Sequence, residues 1–246
     1  MRLGNYPSAL EYGEQALEMQ KVLYEGSHPH VARSLNNLGS VYDRLGNYSN
    51  ALEYWKQALQ IQKARYRGNH PRVADSLNAV GLAYHALGSH DETLTYWEQA
   101  LEMRKACYRG NHPRVAQSLN NVGAVHHALG NYSKALEYWR QALQLQEVRY
   151  EGNHPRIASS LANVGVAHHA LGNYTEALKY CVQALQMRQA LYEKKHPCIA
   201  ASLADVGTVY GALSRPKEAI DCYKQAFAIC GSNPPQCGDS TGTAQS

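Results

Sequence analysis

Apolar residues recur at steps of three and four along most of the chain, which is the spacing of one helical face. Between residues 113 and 152 this pattern forms two separate segments. Pro113 suits the first helical turn, where its missing N–H would be unpaired anyway, and Gly130 and Gly152 suit left-handed helix ends. We therefore predict two helices, A and B. Their apolar faces carry Val115, Leu119, Val122, His126 and Leu129 in helix A, and Tyr132, Ala135, Leu136, Trp139, Ala142, Leu143 and Tyr150 in helix B.

The same pair of segments returns at an interval of 42 residues without insertions. The interval is marked by a His-Pro dipeptide at His28, His70, His112, His154 and His196. The end of the chain is rich in Gly, Ser, Pro and Thr, a composition typical of disorder. We predict a half repeat of helix B alone at 1–27, full repeats at 28–69, 70–111, 112–153, 154–195 and 196–230, and a disordered tail at 231–246.

One such helix pair cannot bury its apolar face alone, so the repeats are expected to stack into an all-α solenoid of antiparallel helix pairs. Gly39 and its equivalents lie in the middle of helix A, where glycine costs about 0.5 to 1 kcal/mol relative to alanine. We interpret these glycines as contact points without a side chain. The Ala58 series is predicted to be their counterpart on helix B, and the Trp55 series is predicted to fill the gap beside them.

The spacing of these residues resembles the tetratricopeptide repeat: Leu35-x2-Leu38-Gly39-x2-Tyr42 is followed by Gly46, Tyr48, Ala51, Trp55 and Ala58. Two positions depart from that pattern. Leu35 replaces the leading Trp, and Lys63 replaces the terminal Pro, after which helix B continues for about two turns. A 42-residue unit that opens with His-Pro is similar to the kinesin light chain branch of the family. The resemblance implies a right-handed superhelix that binds proteins and has no catalytic role.

In that family, helix A lines the concave groove, so the resemblance also implies a groove for a partner peptide or helix. All ten lysines of the chain lie on helix B or in turns. This departs from the family members that clamp the C-terminal carboxylate of chaperone tails with inner-face cations. The predicted groove residues are Arg33, Asn36, Asn37, Ser40, Asn78, His85, Gln117, Asn120, Asn121, His127, Asn163 and His169.

Asparagine in the middle of a helix competes with the backbone for hydrogen bonds, so the repeated groove asparagines call for a reason. An amide can donate to and accept from the backbone of an extended peptide. Alternatively, these amides tie one repeat to the next, as buried amides usually find partners within the fold. We favour ligand contact for Asn36, Asn78 and Asn120. Both interpretations stay open for Asn37, Asn121 and Asn163.

A column of three histidines, His85, His127 and His169, raises the question of a metal enzyme. Packed helices lie about 8 to 10 Å apart, whereas metal ligands must bring their nitrogens within about 2.1 Å of one ion. We therefore predict no metal, no cofactor and no enzymatic activity. The His-Pro histidines are interpreted as helix caps. The string from Gly238 to Gly242 matches GxSxG but lacks the flanking strand and helix that a nucleophile elbow needs.

The charge balance, 24 Lys and Arg against 20 Asp and Glu, gives a net charge of +4 on scattered residues. That pattern argues against nucleic-acid and membrane-surface partners. The sequence shows no signal peptide and no spanning segment, so a cytoplasmic location is predicted, and the six irregularly spaced cysteines are expected to be reduced.

A protein or peptide partner is therefore expected, with weak self-association at the N-terminal end, where the half repeat leaves its apolar face partly uncovered. The alternatives are a sensor or assembly array of a larger multidomain protein, a kinesin light chain-like cargo adaptor and, least favoured, a His-based metal enzyme.

Overall fold

A computed structural model describes residues 6–24 and 28–231, and this part of the chain is all α-helical. Eleven helices alternate as predicted, and none of the described residues forms a strand. The B helices are α1 (Tyr6–Leu23), α3 (Tyr48–Arg65), α5 (His90–Cys107), α7 (Tyr132–Arg149), α9 (Tyr174–Leu191) and α11 (Pro216–Cys230). The A helices are α2 (Pro29–Arg44), α4 (Pro71–Ala86), α6 (Pro113–Ala128), α8 (Pro155–Ala170) and α10 (Pro197–Ala212).

The chain divides into two compact units, residues 1–109 and 110–246. In unit 1, α2 and α4 each pack against the B helix that precedes them and the B helix that follows them. In unit 2, the same holds for α8 and α10, and α6 packs against α7. Short turns connect the helices of a pair, so neighbours run antiparallel. Each unit is thus an α-solenoid, which confirms the predicted fold class. The predicted tail lies outside the described residues, apart from Gly231.

The His-Pro histidines cap the A helices, as the sequence predicts. In each of the five, the ring Nδ1 accepts a hydrogen bond from the backbone N–H two residues later, at 3.1 to 3.3 Å. At His28, His70, His154 and His196 the same ring stacks on the tyrosine that precedes it by four residues, with centroids 3.6 to 4.2 Å apart. The histidine therefore fixes both the start of helix A and the end of helix B.

Replacing His154 with alanine should lower the free energy of unfolding by about 1 kcal/mol, the usual loss for a cap. The variant loses the hydrogen bond to Arg156 N–H and the stacking contact with Tyr150. His154→Asn keeps a cap acceptor and should recover part of the loss. Urea unfolding monitored by circular dichroism measures both changes, and equal stability of wild type and His154→Ala would contradict the capping role.

Three glycines in the middle of the A helices, Gly39, Gly81 and Gly123, lie directly under the tryptophan of the following B helix. A Cβ on Gly39 would come within 2.5 Å of the Trp55 indole, and one on Gly123 within 2.6 Å of Trp139. The prediction of a contact without a side chain is confirmed. The predicted counterpart is wrong, because the tryptophan rather than alanine meets the glycine. Ala58 is fully buried in a cluster with α1 and α2 residues.

Among the described cysteines, one differs from the sequence expectation. Cys107, Cys181, Cys222 and Cys230 are free thiols. Cys198 is disulfide-bonded, so the prediction of six reduced cysteines is wrong. Spacing along the sequence does not tell which sulfur atoms come within bonding distance in the fold.

Candidate functional site

The predicted groove residues of α2 form an exposed polar face. Arg33, Asn37 and Ser40 are exposed, whereas Leu35 and Leu38 on the same helix are buried. The Arg33 guanidinium donates to His30 Nδ1 at 3.3 Å, and the Ser40 hydroxyl donates to the Asn36 carbonyl at 2.9 Å. These side chains present donors and acceptors to solvent without contributing to the core.

The favoured asparagines have a structural role through their backbone. The carbonyl oxygens of Asn36, Asn78 and Asn120 accept hydrogen bonds from the indole N–H groups of Trp55, Trp97 and Trp139, at 3.2, 3.0 and 3.1 Å. Each bond joins helix A to helix B within one repeat. The side-chain amides are half-buried and remain on the A-helix surface. Sequence reasoning missed these indole bonds, although the constant interval of 19 residues between Asn and Trp is a signal that could have suggested them.

The interpretation that amides tie one repeat to the next applies to the side chain of Asn120. Its Nδ2 donates to Ser160 Oγ at 3.2 Å, and the Ser160 hydroxyl lies 3.3 Å from Asn120 Oδ1. Ser160 belongs to α8, the A helix of the following repeat. Gln117, Asn121 and Asn163 are half-buried on α6 and α8. Ligand contact at any of these residues stays a prediction.

The histidine column packs against aromatic side chains of the following B helix. The ring centroids of His85 and Trp97 are 5.3 Å apart, and those of His127 and Trp139 are 5.6 Å apart. His169 approaches Tyr174 with centroids 5.5 Å apart. Burial lowers the pKa of His85 and of His127 below the usual 6.5. These two imidazoles are therefore neutral at neutral pH.

In four repeats, helix A carries a second ring one residue before the column position. This ring stacks on a tyrosine of the following B helix. The pairs are Tyr42–Tyr54, Tyr84–Tyr96, His126–Tyr138 and His168–Tyr180, with centroids 5.3 to 5.6 Å apart. Cations of the preceding B helix reach two of these rings. Lys56 lies 5.0 Å from the Tyr84 centroid, and Arg140 Nη2 donates to His168 Nε2 at 3.1 Å. This position thus connects successive repeats.

Polar side chains also connect repeats inside each unit. Ser76 donates to Gln62 at 3.0 Å in unit 1. In unit 2, the buried Arg188 donates to Ser202 Oγ at 2.7 Å and to the Cys198 carbonyl at 3.3 Å. Nearby, burial raises the pKa of Asp205 to about 6, and Arg188 offsets only part of that rise.

Asp205→Asn should stabilise the protein above pH 6. A carboxyl whose pKa is raised on folding contributes stability at low pH and loses it as pH rises through the folded value. Removing the charge should raise the free energy of unfolding by about 1 to 2 kcal/mol at pH 7.5 and change little at pH 4. An amide fits because the equivalent residues Asn37, Asn121 and Asn163 occupy this position elsewhere. Urea titrations at the two pH values check this, and a less stable variant at pH 7.5 would contradict it.

An acidic cleft in unit 1 was not predicted from the sequence. It has a volume of about 420 Å³ and lies between α1, the end of α2 and α3. Tyr42 donates to Glu14 at 2.9 Å, and this bond raises the pKa of Tyr42 to about 12. The cleft is lined by Glu14, Leu17, Glu18, Lys21, Tyr42, Asn50, Glu53, Tyr54 and Gln57.

Among the described residues, there is neither a cluster of metal-ligating side chains nor a helix that could span a membrane. No three or more His, Cys, Asp or Glu side chains among them converge closely enough to hold a metal ion. None of the described helices combines the length and the apolar character needed to cross a bilayer.

Comparison with known proteins identifies the family. The tetratricopeptide repeat model matches residues 1–64, 44–106, 72–147, 114–180 and 156–232 in overlapping stretches. The chain belongs to the tetratricopeptide repeat family. No curated protein sequence matches it. Its tetratricopeptide repeats are of the kinesin light chain-like kind, with a period of 42 residues.

Several solved structures share this repeat fold. One, described as a kinesin light chain with nearly identical TPR-like repeats from Podosopora anserina, is 26% identical, with 82% of this chain and 96% of that chain aligned at a TM-score of 0.72. BtubC (BKLC) from P. vanneervenii is 20% identical over 95% of each chain, with a TM-score of 0.77. The Rap conjugation gene regulator of the plasmid pLS20, in complex with the Phr* peptide, is 19% identical over 81% of this chain and 53% of its own, with a TM-score of 0.61.

Proposed function

We propose that this tetratricopeptide repeat protein is a non-enzymatic scaffold that binds an extended peptide or a helix of a protein partner along its A helices. The exposed polar face of α2 carries the proposal. Arg33, Asn37 and Ser40 offer a cation, an amide and a hydroxyl to solvent while the opposite face of the helix is buried. Such groups suit a peptide backbone, which presents one donor and one acceptor per residue.

The equivalent surface of unit 2 offers amides and imidazoles. Gln117, Asn121 and Asn163 supply amides. The imidazoles of His127 and His169 pack against aromatic rings, and this contact limits their freedom to move. Groups already held in place lose less entropy when a ligand binds. Asn120 is bonded to Ser160, and in this proposal it positions the A helices as well as lining the surface.

A related fold with a bound peptide supports the proposal, since the Rap regulator was solved in complex with the Phr* peptide. A second structure of this fold, Cut9-Hcn1, is a protein hetero-tetramer from the APC/C. The proposed binding residues are Arg33, Asn36, Asn37, Ser40, Asn78 and His85 in unit 1, and Gln117, Asn120, Asn121, His127, Asn163 and His169 in unit 2.

Peptide selection followed by substitution tests this function. Short random peptides displayed on phage are selected on the immobilised chain, and the affinity of selected peptides is measured by fluorescence anisotropy. The triple variant Arg33→Ala, Asn37→Ala and Ser40→Ala should weaken peptides bound at unit 1 by about tenfold or more, which corresponds to about 1.4 kcal/mol. Its melting temperature should stay close to that of wild type because all three side chains are exposed.

Helix α3 supplies a matched control variant: Ser49→Ala, Gln60→Ala and Lys63→Ala. These residues are also exposed, and they likewise comprise one hydroxyl, one amide and one cation. The control should bind the selected peptides as wild type does. Selection of no peptide at all, or peptides that bind both triple variants with wild-type affinity, would contradict binding along α2.

A further inference from the structure

Helix α1 carries an apolar face that no described helix covers. Tyr12, Met19 and Leu23 are 68%, 74% and 70% exposed, and Ala9 and Ala16 on the same side are also exposed. The opposite side of α1 is packed against the protein, where Leu17 joins a cluster with Val31 and Leu35 of α2. The exposure is therefore confined to one side of the helix.

The other B helices show that this face is normally buried. In α3, the equivalents of Ala9 and Ala16 are Ala51 and Ala58, and both have no exposed surface. The equivalent of Tyr12 is Tyr54, which stacks on Tyr42 of α2 with centroids 5.3 Å apart. α1 therefore keeps the small and aromatic residues of a helix-packing face. An exposed face of this kind indicates an interaction surface.

The exposed residues follow a heptad. Ala9, Ala16 and Leu23 occupy successive first positions, and Tyr12 and Met19 occupy the fourth positions between them. Apolar residues at these two positions form the seam of a coiled coil, in which a helix packs along a second helix of the same pattern. The next B helix, α3, lacks the last apolar residue of this heptad pattern, because Arg65 occupies the position equivalent to Leu23.

Two copies of this seam complement each other when they run antiparallel. First and fourth positions then face each other, so that Ala9 lies opposite Met19 of a second copy and Tyr12 lies opposite Ala16. By symmetry, Ala16 meets Tyr12 and Met19 meets Ala9. A small residue faces a large one in all four layers, which is the arrangement that fills space without voids or clashes.

The charges of α1 favour an identical partner. The positions beside the seam carry Ser8, Gly13, Gln15, Gln20 and Val22, which are uncharged and do not repel their own copies. The charged side chains lie away from the seam, and all four of them have partners within the chain. Lys21 pairs with Glu18 at 2.8 Å, and Glu14 accepts from Tyr42. A charged partner helix would therefore find no counter-charge at the edges of the seam.

We propose that α1 is a homodimer interface in which two copies of this chain pack antiparallel through Ala9, Tyr12, Ala16 and Met19. The contact is isologous and closes at two copies. It involves one helix from each subunit and is smaller than a standard interface of about 1,600 Å². The dimer is accordingly weak, and it forms on a surface separate from the proposed peptide-binding face of the A helices.

Sedimentation equilibrium of the full chain, from about 5 to 500 µM, spans the range expected for a weak contact. Wild type should shift from monomer to dimer with rising concentration, and Ala16→Glu should weaken the dimer by about a hundredfold or more because it buries two carboxylates at the seam. Ala16 is exposed in the monomer, so the variant should keep its fold. Val148→Glu is the matched control, since Val148 is 66% exposed on α7 and should leave dimerisation unchanged.

Disulfide trapping tests the antiparallel register. Ala9→Cys and Met19→Cys should crosslink when the two variants are mixed and oxidised, and each alone should give only the background of wild type, which has its own thiols. A parallel pair would instead crosslink each single variant to itself. The proposal is overturned by a wild type that stays monomeric at the highest concentration, by Ala16→Glu dimerising as well as wild type, or by self-crosslinking of the single variants. Species larger than a dimer would also overturn it and would point to open contacts with the exposed Ile220, Tyr223 and Phe227 of α11.

Discussion

Replacing Gly123 with alanine is expected to lower the free energy of unfolding by about 2 to 4 kcal/mol, although alanine is the better helix former. The added Cβ would lie 2.6 Å from Trp139 Nε1 and 2.7 Å from its Cδ1. The indole is 4% exposed and cannot move outward without losing its bond to the Asn120 carbonyl. The overlap must therefore be relieved by separating α6 from α7, which loosens the packing of the whole repeat.

Gly211 provides the matched control for this substitution. It lies in α10, and a Cβ there would meet no heavy atom within 4 Å. Gly211→Ala should therefore be neutral or stabilise the protein by up to about 1 kcal/mol. A second control is Trp139→Leu combined with Gly123→Ala, where the loss should be smaller than the sum of the single losses because the clash is removed. Urea unfolding at pH 7.5 measures wild type, Gly123→Ala, Gly211→Ala, Trp139→Leu and the double variant. A Gly123→Ala variant as stable as Gly211→Ala would show that the glycine is not needed for this contact.

The helices could be predicted from the sequence because their signals are local and repeated. Pro at the first turn, His before it and Gly after the last turn recur at one interval, so each repeat independently supports the same boundaries. The counterpart of the mid-helix glycine could not be predicted in this way. Spacing places Gly39, Ala58 and Trp55 near the same contact, but the direction of each side chain decides which atom fills the space, and direction depends on how two helices are rotated about their axes.

The candidate site was less predictable for the same reason. Helical periodicity places Asn120 on the A-helix surface, yet its amide bonds to Ser160, which is 40 residues later in the chain. Periodicity likewise places His127 beside His126 but does not show that the two rings pack on different residues, Trp139 and Tyr138. A side chain at the edge between two packed helices can turn to either neighbour, and the repeat pattern alone does not distinguish these outcomes.

Acidification from pH 7.5 to 5 is expected to lower the free energy of unfolding through several imidazoles that folding holds neutral, while protonation of Asp205 offsets part of this loss. The pKa values of His85, His127 and His154 are lowered chiefly by burial. The pKa of His168 is lowered by burial and by the charge of Arg140, and Glu176 offsets part of this. When folding lowers a histidine pKa, stability is complete above the unfolded value near 6.5 and falls as pH drops towards the folded value. In that pH window, each such histidine lowers the free energy of unfolding by at most about 1.4 kcal/mol per pH unit, and by less where its side chain is partly exposed.

A substitution based on the other repeats tests how much the protonation of His168 contributes to this acid destabilisation. Tyrosine stands at the His168 position in Tyr42 and Tyr84, where it stacks on the following B helix as His168 does. Lys56 over Tyr84 shows that this ring accepts a cation from the preceding B helix, the place that Arg140 takes beside His168. His168→Tyr should therefore keep the stability of wild type at pH 7.5 and lose less of it at pH 5, by about 1 kcal/mol. Urea titrations at half-unit pH steps decide the matter. Parallel pH profiles for wild type and His168→Tyr would mean that protonation of this buried imidazole does not limit acid stability, and that Arg140 moves away to accommodate the new charge.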